Sequence, residues 1–151
     1  MSVIKPFVCI RPNQSVANRI AALPYDVYSR EEAKQEVIKE PMSFLRIDRA
    51  ETNFDDSVDM YDPRVYEKAK ELLNQMIEQG DFIVDNEECY YIYELVMNGR
   101  SQTGIVACAS IDDYLNNVIK KHENTSEEKE IDIFTHVDVC NAQTGPIFLA
   151  Y

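Results

Sequence analysis

The chain has 151 residues, 45% of them hydrophobic and 28% charged, with a formal net charge of −12. That length allows one domain with a real core, and no apolar run reaches the ~20 residues needed to span a bilayer. The acidity excludes a broadly basic face for duplex DNA, which needs clustered Lys and Arg, and it disfavours anionic membranes.

The first residues, Met1 to Pro6, lack the basic region, apolar core and cleavage site of a secretory leader, so the expected location is cytoplasmic. Val3 to Ile10 reads as a strand with an edge or bend at Pro6. After a turn at Arg11-Pro12-Asn13, Gln14 to Leu23 reads as a short helix, with Val16, Ile20 and Leu23 at helical spacing. Pro24-Tyr25-Asp26-Val27-Tyr28 interrupts it. Ser29, with Glu32 as capping-box partner, predicts a helix from Arg30 to about Lys39, ended by Glu40-Pro41. Ser43 to Ile47 reads as a strand. Residues 50–61, with Glu51, Asp55, Asp56 and Asp59 and few apolar side chains, are expected to form an exposed, mobile acidic loop.

The clearest helix covers about 63–79. Asp62 caps it, Pro63 takes its first position, Gly80 closes it, and Val65, Ala69, Leu72, Leu73, Met76 and Ile77 form one apolar stripe. Phe82 to Val84 is a short strand. Glu88 to Val96 and Gln102 to Ile111 flank Asn98-Gly99, a strong hairpin signal, with Tyr91, Tyr93, Leu95 and Met97 on one face. Asp112 to Ile119 reads as a helical turn or two. Thr125 with Glu128 offers a second capping box, predicting a helix from about Ser126 that turns Ile131 and Phe134 inward. Pro146 to Tyr151 reads as a closing strand. An apolar strand-like run is an unusual place for a chain to stop. We therefore read 1–151 as a single α+β domain, the N-terminal part of a longer protein, with a mixed sheet containing the hairpin at about 88–111 packed against helices. Gln102-Thr103-Gly104 and Gln143-Thr144-Gly145 echo one another, through similar strand entries or coincidence.

Cys9, Cys89, Cys108 and Cys140 are irregularly spaced, with no Cys-x-x-Cys, and are expected to be free thiols without a zinc site. The sharpest constellation is His122-Glu123 within Lys120-Lys121-His122-Glu123-Asn124-Thr125. A carboxylate can take the proton of a hydroxyl, and a neighbouring His or Lys can assist it. Lys120 and Lys121 suit an anionic group such as phosphate. The plainer reading, a solvated loop whose Thr125 caps the next helix, stays open. His136 and Asp138 are candidates to hold a metal or orient one another, or His136 is a part-buried side chain satisfied by backbone. Asp26 is a candidate site residue or a turn acceptor. Arg46 and Arg49 bind an anion, or pair with Asp48 and Glu51. The aspartates of 55–59 lack the EF-hand pattern, and no P-loop or Gly-x-Ser-x-Gly occurs.

Ile4-Lys5-Pro6-Phe7, Pro24-Tyr25-Asp26-Val27, Ser43-Phe44-Leu45, Tyr61-Asp62-Pro63, Lys121-His122-Glu123-Asn124-Thr125 and Ala142-Gln143-Thr144-Gly145-Pro146 together resemble an uncharacterised bacterial family labelled SpoOJ/ParA/ParB/RepB-like. The resemblance runs along essentially the whole chain. It implies a longer protein whose later part carries an Asp-Gly-His-His-Arg type segment, similar to one in ParB-fold serine kinases. It also implies a ParB/sulfiredoxin-like phosphotransferase acting on serine or a similar small hydroxyl metabolite. Glu123 would be the base beside His122, with Lys120, Lys121, Thr125 and Asp26 binding phosphate or substrate, and Mg2+ accompanying ATP, ADP or another donor. The other reading it leaves open is a non-catalytic ParB-like nucleic-acid-associated or protein-binding module. DNA contact through this acidic part is not expected, and oligomeric state stays open. The 151-residue piece by itself is expected to be inactive.

Overall fold

Asp62-Pro63 and Gly80 bound the longest helix, as their chemistry requires. In the computed structural model, which describes residues 2–121 and 125–149, Pro63–Glu78 is helical. The Asp62 carboxylate accepts the Arg64 N–H at 2.9 Å, satisfying a donor that a helix start leaves open. At the other end Gly80 takes φ +80°, and the N–H groups of Gly80 and Asp81 reach back to the carbonyls of Ile77 and Met76, a Schellman closure.

The elements run in order β1 (Ile4–Lys5), β2 (Ile10–Pro12), α1 (Ala17–Ile20), α2 (Arg30–Lys39), α3 (Leu45–Asp48), α4 (Pro63–Glu78), β3 (Phe82–Val84), β4 (Tyr91–Met97), β5 (Arg100–Val106), β6 (Cys108–Ala109), α5 (Ile111–Leu115) and α6 (Glu127–Cys140), with 3₁₀ turns at Tyr25–Val27 and Ala50–Asn53. The fold is α+β. Among the described residues its strands form three two-stranded ladders, β1 with β6, β2 with β3 and β4 with β5, in place of one mixed sheet.

Two compact units emerge, Met1–Arg11 with Val84–Thr125 and Pro12–Ile83 with Ser126–Tyr151. In the first, β4 and β5 pair antiparallel from Tyr91↔Val106 to Met97↔Arg100. Asn98 and Gly99 both take positive φ, 52° and 75°, as a type I′ turn requires. The first expected strand is broken into β1, a lone bridge from Phe7 to Cys89, and β2. Here Asp85 is a polar anchor: it accepts from Tyr91 Oη at 2.8 Å and from Arg11 Nε at 2.9 Å. The Asp113 carboxylate likewise accepts the Val3 N–H at 2.7 Å, and Ser110 caps α5.

The second unit holds every core side chain among the described residues. Val65, Ala69, Leu72, Leu73 and Met76 of α4 pack with Ile20, Ile47, Ala50, Phe82 and Cys140. The capping box expected at the start of α2 forms, with Ser29 Oγ accepting the Glu32 N–H and Glu32 Oε2 accepting the Ser29 N–H at 2.8 Å. Four expectations change. Ser43–Ile47, expected as a strand, leads into α3: the Ser43 and Phe44 carbonyls accept the Arg46 and Ile47 N–H groups. Leu45 and Ile47 are both buried because this short helix is enclosed on more than one side, a pattern indistinguishable from strand alternation over so few residues. Residues 50–61 begin as a 3₁₀ helix with Ala50 and Glu51 buried, where an exposed loop was expected. On α6, Ile131 and Phe134 are 58% and 70% exposed rather than inward, and Ser126, without a side-chain cap bond, replaces the Thr125 box. No strand forms over the described part of 146–151. The two Gln-Thr-Gly segments also differ, one lying inside β5 and the other following α6.

The least expected burial is ionic. Glu51 is 3% exposed, and Arg49 Nε donates to its Oε1 at 2.6 Å. Removing one member of such a pair strands the other charge in low dielectric. Arg49→Met is therefore expected to lose about 3–5 kcal/mol of unfolding free energy by urea denaturation, and the double substitution with Glu51→Leu to regain most of it. A loss below about 1 kcal/mol for Arg49→Met would show the pair to be dispensable.

Candidate functional site

The second unit gathers polar side chains from four separated stretches of sequence. Arg49, at the C-cap of α3, turns its Nη1 to the carbonyls of Tyr25 and Tyr28 at 3.2 and 2.9 Å. The Pro24-Tyr25-Asp26-Val27 turn is thus fastened to the end of α3 by the same guanidinium that pairs with Glu51. The pairing alternative holds for Arg49. Arg46 instead donates to the Pro41 carbonyl at 2.8 Å.

Asp48 ends α3 beside this fastening. Burial pushes its carboxyl up to about 6, against the opposing hydrogen bond from the Thr144 hydroxyl. Burial also raises the Tyr25 phenol, and the negative charges of Asp26, Asp132 and Asp48 add to the shift.

Across from α3, Asp132, His136 and Cys140 recur every fourth residue along α6, and such positions share a helix face. Cys140 Sγ lies 3.8 Å from His136 Nε2, and Asp132 Oδ1 accepts the Tyr66 hydroxyl at 2.7 Å. Burial lowers the His136 imidazole, opposed by Asp132. Burial raises the Cys140 thiol to about 11, and the field of Asp48 adds to it. At neutral pH the imidazole is uncharged and the thiol holds its proton. The ladder has the order of a nucleophile, base and orienting acid, but the sulfur is not activated. What this arrangement supports is proton exchange at Asp48. Asp138 is exposed and, two positions from His136 on the same helix, cannot share its face.

The residues singled out by sequence are placed differently. Lys120, Lys121 and Thr125 are exposed in the first unit, and Lys121 Nζ stands 4.9 Å above the Tyr114 ring. Asp26 is exposed in its 3₁₀ turn in the second unit. His122 and Glu123 lie outside the described residues. The Asp48, Thr144 and Cys140 grouping was not foreseen; the every-fourth-residue spacing of Asp132, His136 and Cys140 was its one visible trace. Among the described residues no set of three or more His, Cys, Asp and Glu side chains could hold a metal, all four cysteines are free thiols, and no helix is long and apolar enough to cross a membrane.

Over residues 4–151 the chain matches the family described as "Protein of unknown function (DUF1015)", and it belongs to that family. No curated protein and no solved structure matches it.

The raised Asp48 carboxyl makes a signed prediction. Its folded pKa exceeds the unfolded one, so the folded chain binds more protons between about pH 4 and 6, and stability contributed by this group falls as pH rises through that window. Asp48→Asn is expected to be more stable than wild type at pH 7 by about 2–3 kcal/mol, with the gain shrinking toward zero below pH 4. Urea midpoints at the two pH values measure this, and a gain equal at both would refute it.

Proposed function

We propose that this DUF1015 chain is part of a cytoplasmic phosphotransferase that moves a phosphoryl group from ATP, ADP or another phosphate donor to serine or a similar small hydroxyl metabolite. The observation that carries the reading is the state of Lys120 and Lys121. Of 15 lysines and arginines, eight are held in ion pairs with carboxylates among the described residues. Lys120 and Lys121 are adjacent and exposed, and among the described residues neither has a carboxylate partner. Their unit carries five basic against seven acidic residues, a net −2, while the other unit carries −10. An incoming polyphosphate thus meets the weaker repulsion where the lysines stand.

In this reading Glu123 takes the proton from the acceptor hydroxyl as its oxygen attacks the terminal phosphorus. The bond from that phosphorus to the donor's bridging oxygen breaks, and the electron pair leaves with the shortened donor. Lys120 and Lys121 offset charge on the phosphate oxygens, with His122 and Thr125 as further donors. Mg2+ would neutralise donor phosphates. In such sites one or two carboxylates and the phosphates hold it. The alternative, a non-catalytic ParB-like nucleic-acid-associated or protein-binding module, draws its support from exposed apolar side chains of β4 and β5, among them Ile92, Val96, Met97 and Ile105.

The test is transfer of label from ATP, ADP or pyrophosphate to serine and other small hydroxy acids by the full-length protein. Glu123→Gln is expected to lower the rate by about 10²–10⁴-fold, and Lys121→Ala to raise KM for the donor about tenfold. Undiminished transfer by Glu123→Gln removes that residue from its role. No transfer from any donor, together with a steeply salt-dependent shift of DNA, would favour the binding module.

A further inference from the structure

A groove of about 300 Å³ opens between the first turns of α4 and the side of α6, at the small end of ligand pockets. Tyr61, Tyr66, Pro63, Ile131 and Val139 form much of its wall. Three acidic residues line it from two helices, Glu67 from α4 and Glu128 and Asp132 from α6. No lysine or arginine lines it, and among the described residues none of the three carboxylates takes part in an ion pair. The Tyr66 hydroxyl, donating to Asp132 Oδ1 at 2.7 Å, fixes that carboxylate and leaves its second oxygen for another donor.

These features act in one direction. Acidic side chains without ion-pair partners along one groove give it a negative potential that draws a cation. Acids on opposite helices suit two ammonium groups, and the apolar wall suits the methylenes between them. We propose that this groove binds a small aliphatic diamine, each ammonium donating to carboxylates of one helix and the chain lying against Pro63, Ile131 and Val139.

The experiment is calorimetric titration of the full chain with 1,4-diaminobutane, butylamine and 1,4-butanediol at 0.15 M salt, with no phosphate donor present. A negative result therefore leaves the phosphotransfer reading untouched, and the reverse holds. The diamine is expected to bind with Kd below about 1 mM, butylamine at least about tenfold more weakly, and the diol not measurably. Asp132→Asn and Glu128→Gln are each expected to weaken the diamine about tenfold, while Glu31→Gln on α2 leaves it unchanged; Glu128 is exposed, so its variant reports on the groove even if Asp132→Asn fails to fold. Tyr61 and Tyr66 ring resonances should shift on titration. Absence of binding, equal binding by both groove variants and wild type, or an equal loss with Glu31→Gln would overturn the proposal, the last by showing generic counterion attraction.

Discussion

The Arg49 guanidinium is the interaction on which the second unit's polar architecture depends. It sits where α3 ends and a 3₁₀ helix begins, and it meets three obligations at once. Its Nε neutralises Glu51, and its Nη1 satisfies the carbonyls of Tyr25 and Tyr28. A lysine could carry the charge but not the planar fork needed to serve a carboxylate and two carbonyls. Buried ion pairs are weak sources of net stability, because desolvation offsets much of the attraction. Their value here is geometric: the pair leaves few other ways to arrange the turn at Tyr25, and Asp48 is the residue next to it in the chain.

The two units are held by different physics. In the second, α4 lays an apolar stripe against α3, the 3₁₀ helix at Ala50–Asn53 and α6, and hydrophobic burial dominates. In the first, no described side chain reaches core burial. Order there rests on ladders, the type I′ turn and polar anchors such as Asp85 and Asp113. A two-stranded hairpin with side chains such as Ile92, 81% exposed, gains little from its faces. Its register is set instead by Asn98-Gly99, whose paired positive φ values fix which residues oppose each other.

Legibility from sequence followed the range of the forces. The α4 helix, the Ser29 box on α2 and the Asn98-Gly99 hairpin are encoded in side chains within a few residues of the structure they specify, and each was read correctly. Failures came where distant packing decides. Leu45 and Ile47 alternate as strand residues do, and only enclosure by other elements makes them a helix. Glu51 reads as solvent-facing until Arg49 is folded against it. On α6 apolar residues fall on every side, at Ile131, Ile133, Phe134, Val137 and Val139, so no stripe identifies the inward face. The Asp132, His136 and Cys140 ladder went unread for that reason, and Asp48 because an aspartate beside two arginines looks like a surface ion pair.

The chemistry open to this ladder is narrowed by the sign of its neighbours. An activated cysteine needs positive charge nearby, from a cation, a protonated histidine or a helix N-terminus. Cys140 stands at the C-terminal end of α6, where the helix dipole is negative. Asp48 raises its thiol, with Lys70 opposing, and its histidine partner is held neutral by burial. Each of these keeps the proton on sulfur. The same enclosure that silences the thiol lifts Asp48 to about 6, and because Asp48 acts on Cys140 through its charge, protonating Asp48 relaxes the thiol in turn. Of the two groups, the more readily exchanged proton therefore lies on carboxyl oxygen. Acid–base participation through Asp48 is consistent with its physics; attack by sulfur is not.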